Sequence, residues 1–285
     1  MPVVVVTDSS ARLPADLAAA HGIRVVPLHV LIDGADLRDG VDDVPSDIHD
    51  RQASTAGATP AELCGAYERA LIASGGDGVL GVHLSAALSS TYSAAEEAAR
   101  PLGAAVAVVD SKSAAMGTGF IALAAARAAA AGADLHTVVA AARSAVDRTH
   151  AYIVVQRLDN LRRSGRLGGA AAWLGTALSL KPLLRLDNGK LVLAQRVRTA
   201  SKAVATMLDQ VCGVVGDSAA ALAVHHVADP DGAAELADSL AHRLPACPPA
   251  IITELGPVLA LHVGAGALAV AVQVPADSPD AQRLS

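Results

Sequence analysis

The chain predicts an α/β protein of two domains, on three observations. Apolar β-branched runs alternate with alanine-rich helical patterns through the first half, three of those runs end in clusters of hydroxyls, and past about residue 155 the alternation gives way to paired strands around a tight turn. Strands and helices alternating at this spacing build right-handed βαβ units on a parallel sheet. Apolar runs flanking Asp187-Asn188-Gly189 build a hairpin instead. We therefore expect a parallel βαβ domain over residues 1–155 and a second α/β domain with a mixed or antiparallel sheet over 156–285, the boundary lying near 152–158. A chain of 285 residues can bury a core in each.

Residues 3–6 form the first strand, and Thr7-Asp8-Ser9-Ser10 its hydroxyl turn, followed by a short helix opened by Pro14. A second strand is expected over 23–30 and a polar surface excursion over 33–52. Residues 54–60 read as a loop that ends in a helix start, with Thr59 as N-cap, Pro60 at the first helical position, and Leu63, Tyr67, Ala70 and Leu71 on one face. Residues 79–84 are a buried strand, and Ser85, Ser89, Ser90 and Thr91 stand where the next helix offers unpaired N–H groups. Such an end favours a negative ligand. No lysine or arginine lies between Val79 and Glu96, so neutral donors would hold it, which suits a carboxylate or phosphate; an ordinary serine N-cap is the competing reading.

A strand over 105–109 leads to the turn Asp110-Ser111-Lys112-Ser113, then helices over 119–131 and 135–148 and a strand over 151–155. All three hydroxyl turns thereby fall at the carboxyl edge of a parallel sheet, where ligands of such folds sit. Residues 158–180 read as helix in two pieces, followed by the hairpin strands 183–186 and 191–197, a helix over 201–212, a strand over 221–227 and a helix capped by Asp229 with Pro230 behind it. Residues 255–276 carry no Asp, Glu, Lys or Arg, but Gly256, Pro257, His262, Gly264 and Gly266 argue against a membrane span and for two buried strands around a glycine-rich turn.

Composition removes several functions. A net charge of −6 with no long basic run excludes nucleic acid and anionic membrane as main partners, leaving at most transient membrane contact. Three cysteines without CxxC spacing indicate neither a disulfide framework nor zinc and fit a reducing cytoplasm. The opening MPVVVVTDSS has no basic region and too short an apolar run for a signal peptide. P-loop, nucleophile-elbow and HExxH patterns are absent, and Gly117-Thr118-Gly119 lies too far beyond its strand for a dinucleotide fingerprint. His225 and His226 point to opposite faces of a strand and do not make a metal pair; one buried and one solvent-facing ring is expected. What remains is a set of hydroxyls, Thr55, Ser85, Ser89 and Thr91, plus two isolated cationic candidates in glycine-rich contexts, Arg166 and His262.

Read together and in order, Thr7-Asp8-Ser9-Ser10, the stretch from Ser85 to Tyr92, the stretch from Val109 to Gly117, Arg163-Ser164-Gly165-Arg166, Leu180-Lys181-Pro182-Leu183, Val197-Arg198-Thr199 and His262-Val263-Gly264-Ala265-Gly266-Ala267 resemble the DegV family across almost the whole chain. The resemblance implies a two-domain carrier with no catalytic residues, metal or cofactor of its own. It would bind a long-chain fatty acid in an apolar tunnel, hold the carboxylate where the domains meet, and present it to a fatty acid kinase for phosphorylation to an acyl phosphate, in the service of phospholipid metabolism. It implies further that Thr55 matches the first residue of the family's Thr-Ser-Gln-Pro-Ser-Pro loop, Ser89 its carboxylate-binding serine, Arg166 the arginine of Gly-Gly-Arg, and His262 the histidine of His-Thr-Gly-Pro-Gly. Ser85 and Thr91 complete the expected ligand set. Ala56, Gly57 and Ala58 depart from Ser-Gln-Pro, so a looser loop is expected there; Ser90, Ser164, Val263 and Ala265 are further departures. A different class of function stays open beside this one: a small-molecule phosphotransferase or hydrolase using the same anion pocket, with Asp8 and Asp110 as metal ligands or bases.

Overall fold

A computed structural model describes residues 2–167 and 181–276. Its contacts divide the chain into two compact units, Met1–Val44 with Ala53–Asp147, and Pro45–Gln52 with Arg148–Ser285.

The first unit holds a four-stranded parallel sheet of β1 (Val4–Asp8), β2 (Arg24–Val26), β6 (Val79–His83) and β7 (Val106–Asp110), in the order β2-β1-β6-β7. Every residue of β6 is buried, as a parallel strand covered on both faces must be. Helices α2 (Pro60–Ala73) and α3 (Thr91–Ala99) pack on each other and on the sheet, as do α4 (Met116–Ala130) and α5 (Leu135–Asp147). Thr59 and Pro60 start α2 as expected, and Glu62 adds its half of a capping box. Helix α4 begins at Met116, three residues before the expected start, and buries Gly117 and Gly119. The chain does not run as one strand through 23–30. Pro27 cannot donate to a ladder, and the path breaks into β2 and, after Leu28, β3 (His29–Ile32). Strand β3 pairs antiparallel with β4 (Ala35–Arg38) and β5 (Ser54–Ala56), so the polar excursion and the loop before Thr59 each contain a strand of a second, three-stranded sheet.

The second unit holds a six-stranded sheet ordered β10-β9-β8-β13-β11-β12, from β8 (Thr149–Val154), β9 (Lys181–Asp187), β10 (Lys190–Val197), β11 (Ala221–His226), β12 (Ile251–Glu254) and β13 (Leu268–Gln273). All its pairings are antiparallel except β11 with β12. Asn188 and Gly189 both take positive φ, 46° and 80°, as the expected two-residue hairpin between β9 and β10 requires. Helices α7 (Ala200–Val215) and α8 (Pro230–Arg243) cover a core of Val154, Leu183, Met207, Leu222, Leu236 and Val270. Asp229 caps α8 through the Gly232 N–H.

Two expectations fail here. The uncharged stretch does not form two strands: Gly256–Val263 is α9, with Pro257 in its first turn and Gly264 ending it at φ 80°, and only β13 follows. His225 and His226 are both buried, at 1% and 6% exposure, because β11 lies inside the sheet and is covered on both faces. Each ring has a partner: His225 Nδ1 lies 2.8 Å from Thr253 Oγ1, and His226 Nδ1 accepts the Asp229 N–H. Of the helix expected over 158–180, α6 (Asp159–Arg163) is present, and the part from 168 to 180 lies outside the described residues.

Candidate functional site

The hydroxyl turn after β6 is tied at both ends. The Ser85 N–H donates to the Ser113 carbonyl, its carbonyl accepts from the Leu88 and Ser89 N–H groups, and its Oγ accepts the Ala87 N–H at 3.2 Å. Ser89 Oγ accepts the Thr91 N–H at 3.2 Å and shares a 2.9 Å hydrogen bond with Thr91 Oγ1. An ordinary serine N-cap is not what the turn contains. Ser90 occupies the cap position of α3 with φ −75° and ψ −4° and makes no side-chain cap bond; Ser89 serves the helix's first N–H instead. Ser85 and Thr91 are fully buried, whereas Ser89 is half-buried, so Ser89 is the hydroxyl of the three that a ligand can reach.

Behind the turn lies a buried relay. Asp8 Oδ2 accepts from the Leu84 N–H and from His83 Nδ1, each at 3.0 Å, while Oδ1 accepts from the Ser10 N–H and hydroxyl. His83 Nε2 is 2.7 Å from the Tyr67 hydroxyl. Burial works to raise the Asp8 pKa, but hydrogen bonds and charge from His83, joined by Ser10 and the Leu84 N–H, outweigh it and hold the carboxyl below its ordinary value. Burial and the Asp8 charge push the Tyr67 phenol up, so it keeps its proton, and its hydroxyl shares a hydrogen bond with His83 Nε2. Asp8 is therefore occupied in positioning Leu84 and the turn after it. Asp110 Oδ1 is taken by the Lys112 and Ala86 N–H groups at 2.8 and 3.2 Å. Among the described residues no three His, Cys, Asp or Glu side chains are grouped to hold a metal ion.

Thr55 lies on β5 opposite Val30. Two residues on, a Cβ built on Gly57 would stand 2.6 Å from Thr91 Oγ1. The segment expected to be loose is thus in close contact with the hydroxyl turn, and Ala58 beside it is buried. The structure brings Ser89, Thr91 and the Thr55 segment together within the first unit.

Arg166 and His262 come together in the second unit. His262 sits in the last turn of α9, and the turn after it packs on the β8–α6 connection: a Cβ on Gly266 would meet Gln156 Cγ at 2.9 Å, and Gln156 Nε2 donates to the Gly266 carbonyl at 3.0 Å. Lys181 Nζ in turn donates to the Gln156 carbonyl and Oε1 at 3.2 and 3.0 Å. Burial, aided by the Arg166 guanidinium, pushes the His262 pKa down to about 4. The ring is neutral at neutral pH, so the expected pair of cations is one guanidinium beside one neutral imidazole. Sequence reasoning passed over Gln156 and Lys181 as site supports; a lysine opening an otherwise apolar strand, Lys181-Pro182-Leu183-Leu184, is the signal that points to them.

A sequence profile of the family described as "uncharacterised protein, DegV family" matches residues 2–274. A DegV domain-containing protein of Mycobacterium tuberculosis is 67% identical over 279 residues, 98% of this chain and 100% of its own. Among solved structures, a fatty-acid-binding DegV family protein from Thermus thermophilus is similar at TM-score 0.90 and 34% identity, over 96% of this chain and 100% of its own. DegV from Bacillus subtilis, described as a fatty acid binding protein, is similar at TM-score 0.87 and 28% identity, over 96% and 100%.

Proposed function

Since the chain belongs to the DegV family, we propose that it binds a long-chain fatty acid and acts as a carrier, presenting the carboxylate to a fatty acid kinase for conversion to an acyl phosphate. The observation that carries the reading is the agreement of this fold, over nearly all its length, with a Thermus thermophilus protein described by its fatty acid binding. In the proposed complex the carboxylate meets Ser89 first. Thr91 supports that hydroxyl through the Oγ–Oγ bond, Ser85 holds the turn, Thr55 contributes from β5, Arg166 supplies charge, and His262 donates a hydrogen bond. Charge-assisted bonds of this kind are strong and orient the head group. The tail supplies most of the affinity, at about 0.8 kcal/mol per buried CH₂. No resident metal or cofactor enters the scheme, and a cytoplasmic location is part of it. No helix among the described residues is long and apolar enough to cross a membrane.

Native mass spectrometry of protein purified gently from cells tests the proposal. A lipid-sized adduct is expected, exchangeable for added palmitate or oleate. A bare polypeptide mass that stays unchanged when either acid is supplied would refute it. The carrier role has its own test: acyl phosphate should form when kinase and ATP are both added, and ATP turnover by the isolated protein would favour a phosphotransferase.

A further inference from the structure

Away from the hydroxyl turn, the first unit has a cleft of about 440 Å³ between edge strand β2, the first half of α2 and the end of β4. Its rim carries Arg24, Arg38 and Arg69 with the single acid Glu62, and Val25 and Pro27 contribute an apolar wall. Three guanidiniums at one cleft stand out in a chain whose net charge is −6. They are not equally occupied. The Arg38 fork is closed by Asp42, with Nε and Nη2 donating at 2.9 and 3.0 Å. Glu62 is engaged by the Thr59 N–H and hydroxyl and lies 3.2 Å from His29 Nε2. Among the described residues no carboxylate pairs with Arg24 or Arg69. Arg69 is folded back over its own helix, its Nη1 standing 3.3 Å from where a Gly65 Cβ would be. The bare glycine gives that guanidinium room at the cleft wall.

From these observations we propose that the Arg24–Arg69 cleft binds a phosphomonoester, the two unpaired guanidiniums gripping the phosphate and the wall of Val25 and Pro27 taking the apolar part of the ligand. Planar guanidinium forks match phosphate oxygens two at a time, which a lysine would not do. Arg24 is carried by a sheet strand and Arg69 by a capped helix, so the backbone at each is held in place before a ligand arrives. Val25 is 44% exposed, an apolar surface with no cover of its own among the described residues.

Calorimetric titration of the full chain with inorganic phosphate and with glycerol 3-phosphate, together with flotation on phosphatidylcholine vesicles containing phosphatidic acid, tests this. Saturable, salt-sensitive binding is expected, weakened roughly tenfold by Arg24→Gln or Arg69→Gln and lost in the double variant. Palmitate binding should be unchanged in all three, which also reports that they fold. Binding of glycerol phosphate without vesicle capture identifies a soluble ester as the ligand; vesicle capture that depends on both arginines identifies a lipid head group. The proposal is overturned if neither probe binds, or if binding survives the double substitution.

Discussion

His262 stands where burial and a neighbouring guanidinium both oppose its proton, and its pKa of about 4 makes the ring neutral before ligand arrives. A carboxylate placed against it reverses the balance, because an opposite charge favours the protonated ring. Fatty acid binding should then take up protons, and affinity should strengthen as pH falls from neutral to about 5, below which the acid's own carboxyl takes a proton and the attraction is lost. Calorimetry in buffers of different ionisation heats measures the uptake; His262→Asn should abolish it. Gly57 makes a second prediction. A methyl group there meets Thr91 Oγ1 at 2.6 Å, so Gly57→Ala must displace that hydroxyl and with it Ser89. We expect about 1–3 kcal/mol lost in stability and a clear loss of palmitate affinity, read by thermal unfolding and titration. Ser89→Ala should weaken binding by about 1–3 kcal/mol and also lower stability by about 1 kcal/mol, because the Thr91 N–H and hydroxyl lose their partner. The hydroxyl cluster was legible in the sequence because serines and threonines gathered after an apolar run mark a strand-to-helix turn, although an ordinary N-cap would gather them too. The close approach at Gly57 was not: glycine between two alanines reads as slack, and only the fold shows what stands opposite its missing side chain.

At the scale of elements, β1 and β6 lie side by side and hand their ends to the turn through Asp8 and His83. The relay is closed by Tyr67 from α2, and it fills the space above Gly81 so fully that a Cβ there would run into the phenol oxygen. Tyr67→Phe leaves His83 Nε2 buried and unpaired, which should cost about 1–3 kcal/mol in urea unfolding. The alternation of strands and helices in the first unit and the Asp-Asn-Gly hairpin in the second were readable because each rests on local chemistry: hydrophobic period, caps and turn residues. Helix α9 was not readable in that way. Residues 255–276 have no charge to mark a solvent face, so neither a period of two nor of 3.6 stands out, and the breakers Gly256 and Pro257 serve equally as the start of a helix or the turn of a hairpin. The same loss of contrast hid the burial of the second of the two histidines, His225 and His226, since a strand covered on both sides does not alternate.

For the molecule as a whole, the proposed carboxylate contacts are drawn from both units, Ser89 from one and His262 from the other. A double-mutant cycle with Ser89→Ala and His262→Ala measures whether they address one ligand group: a coupling above about 0.5 kcal/mol in palmitate affinity is expected, whereas strict additivity would assign them separate tasks. The family's order of motifs was visible from end to end of the sequence, but the allegiance of residues 45–52 was not, because a short, mostly polar, turn-rich segment with one isoleucine looks the same whichever neighbour it joins. Ile48 in that segment is 3% exposed, and the short helical turn around it packs on α9. The polypeptide consequently changes allegiance three times, after Val44, after Gln52 and after Asp147. Cutting the gene after codon 147 would leave one fragment with a stranded greasy side chain and the other with a hole where it belonged, so neither half should be inherited, swapped or expressed alone as a well-behaved module.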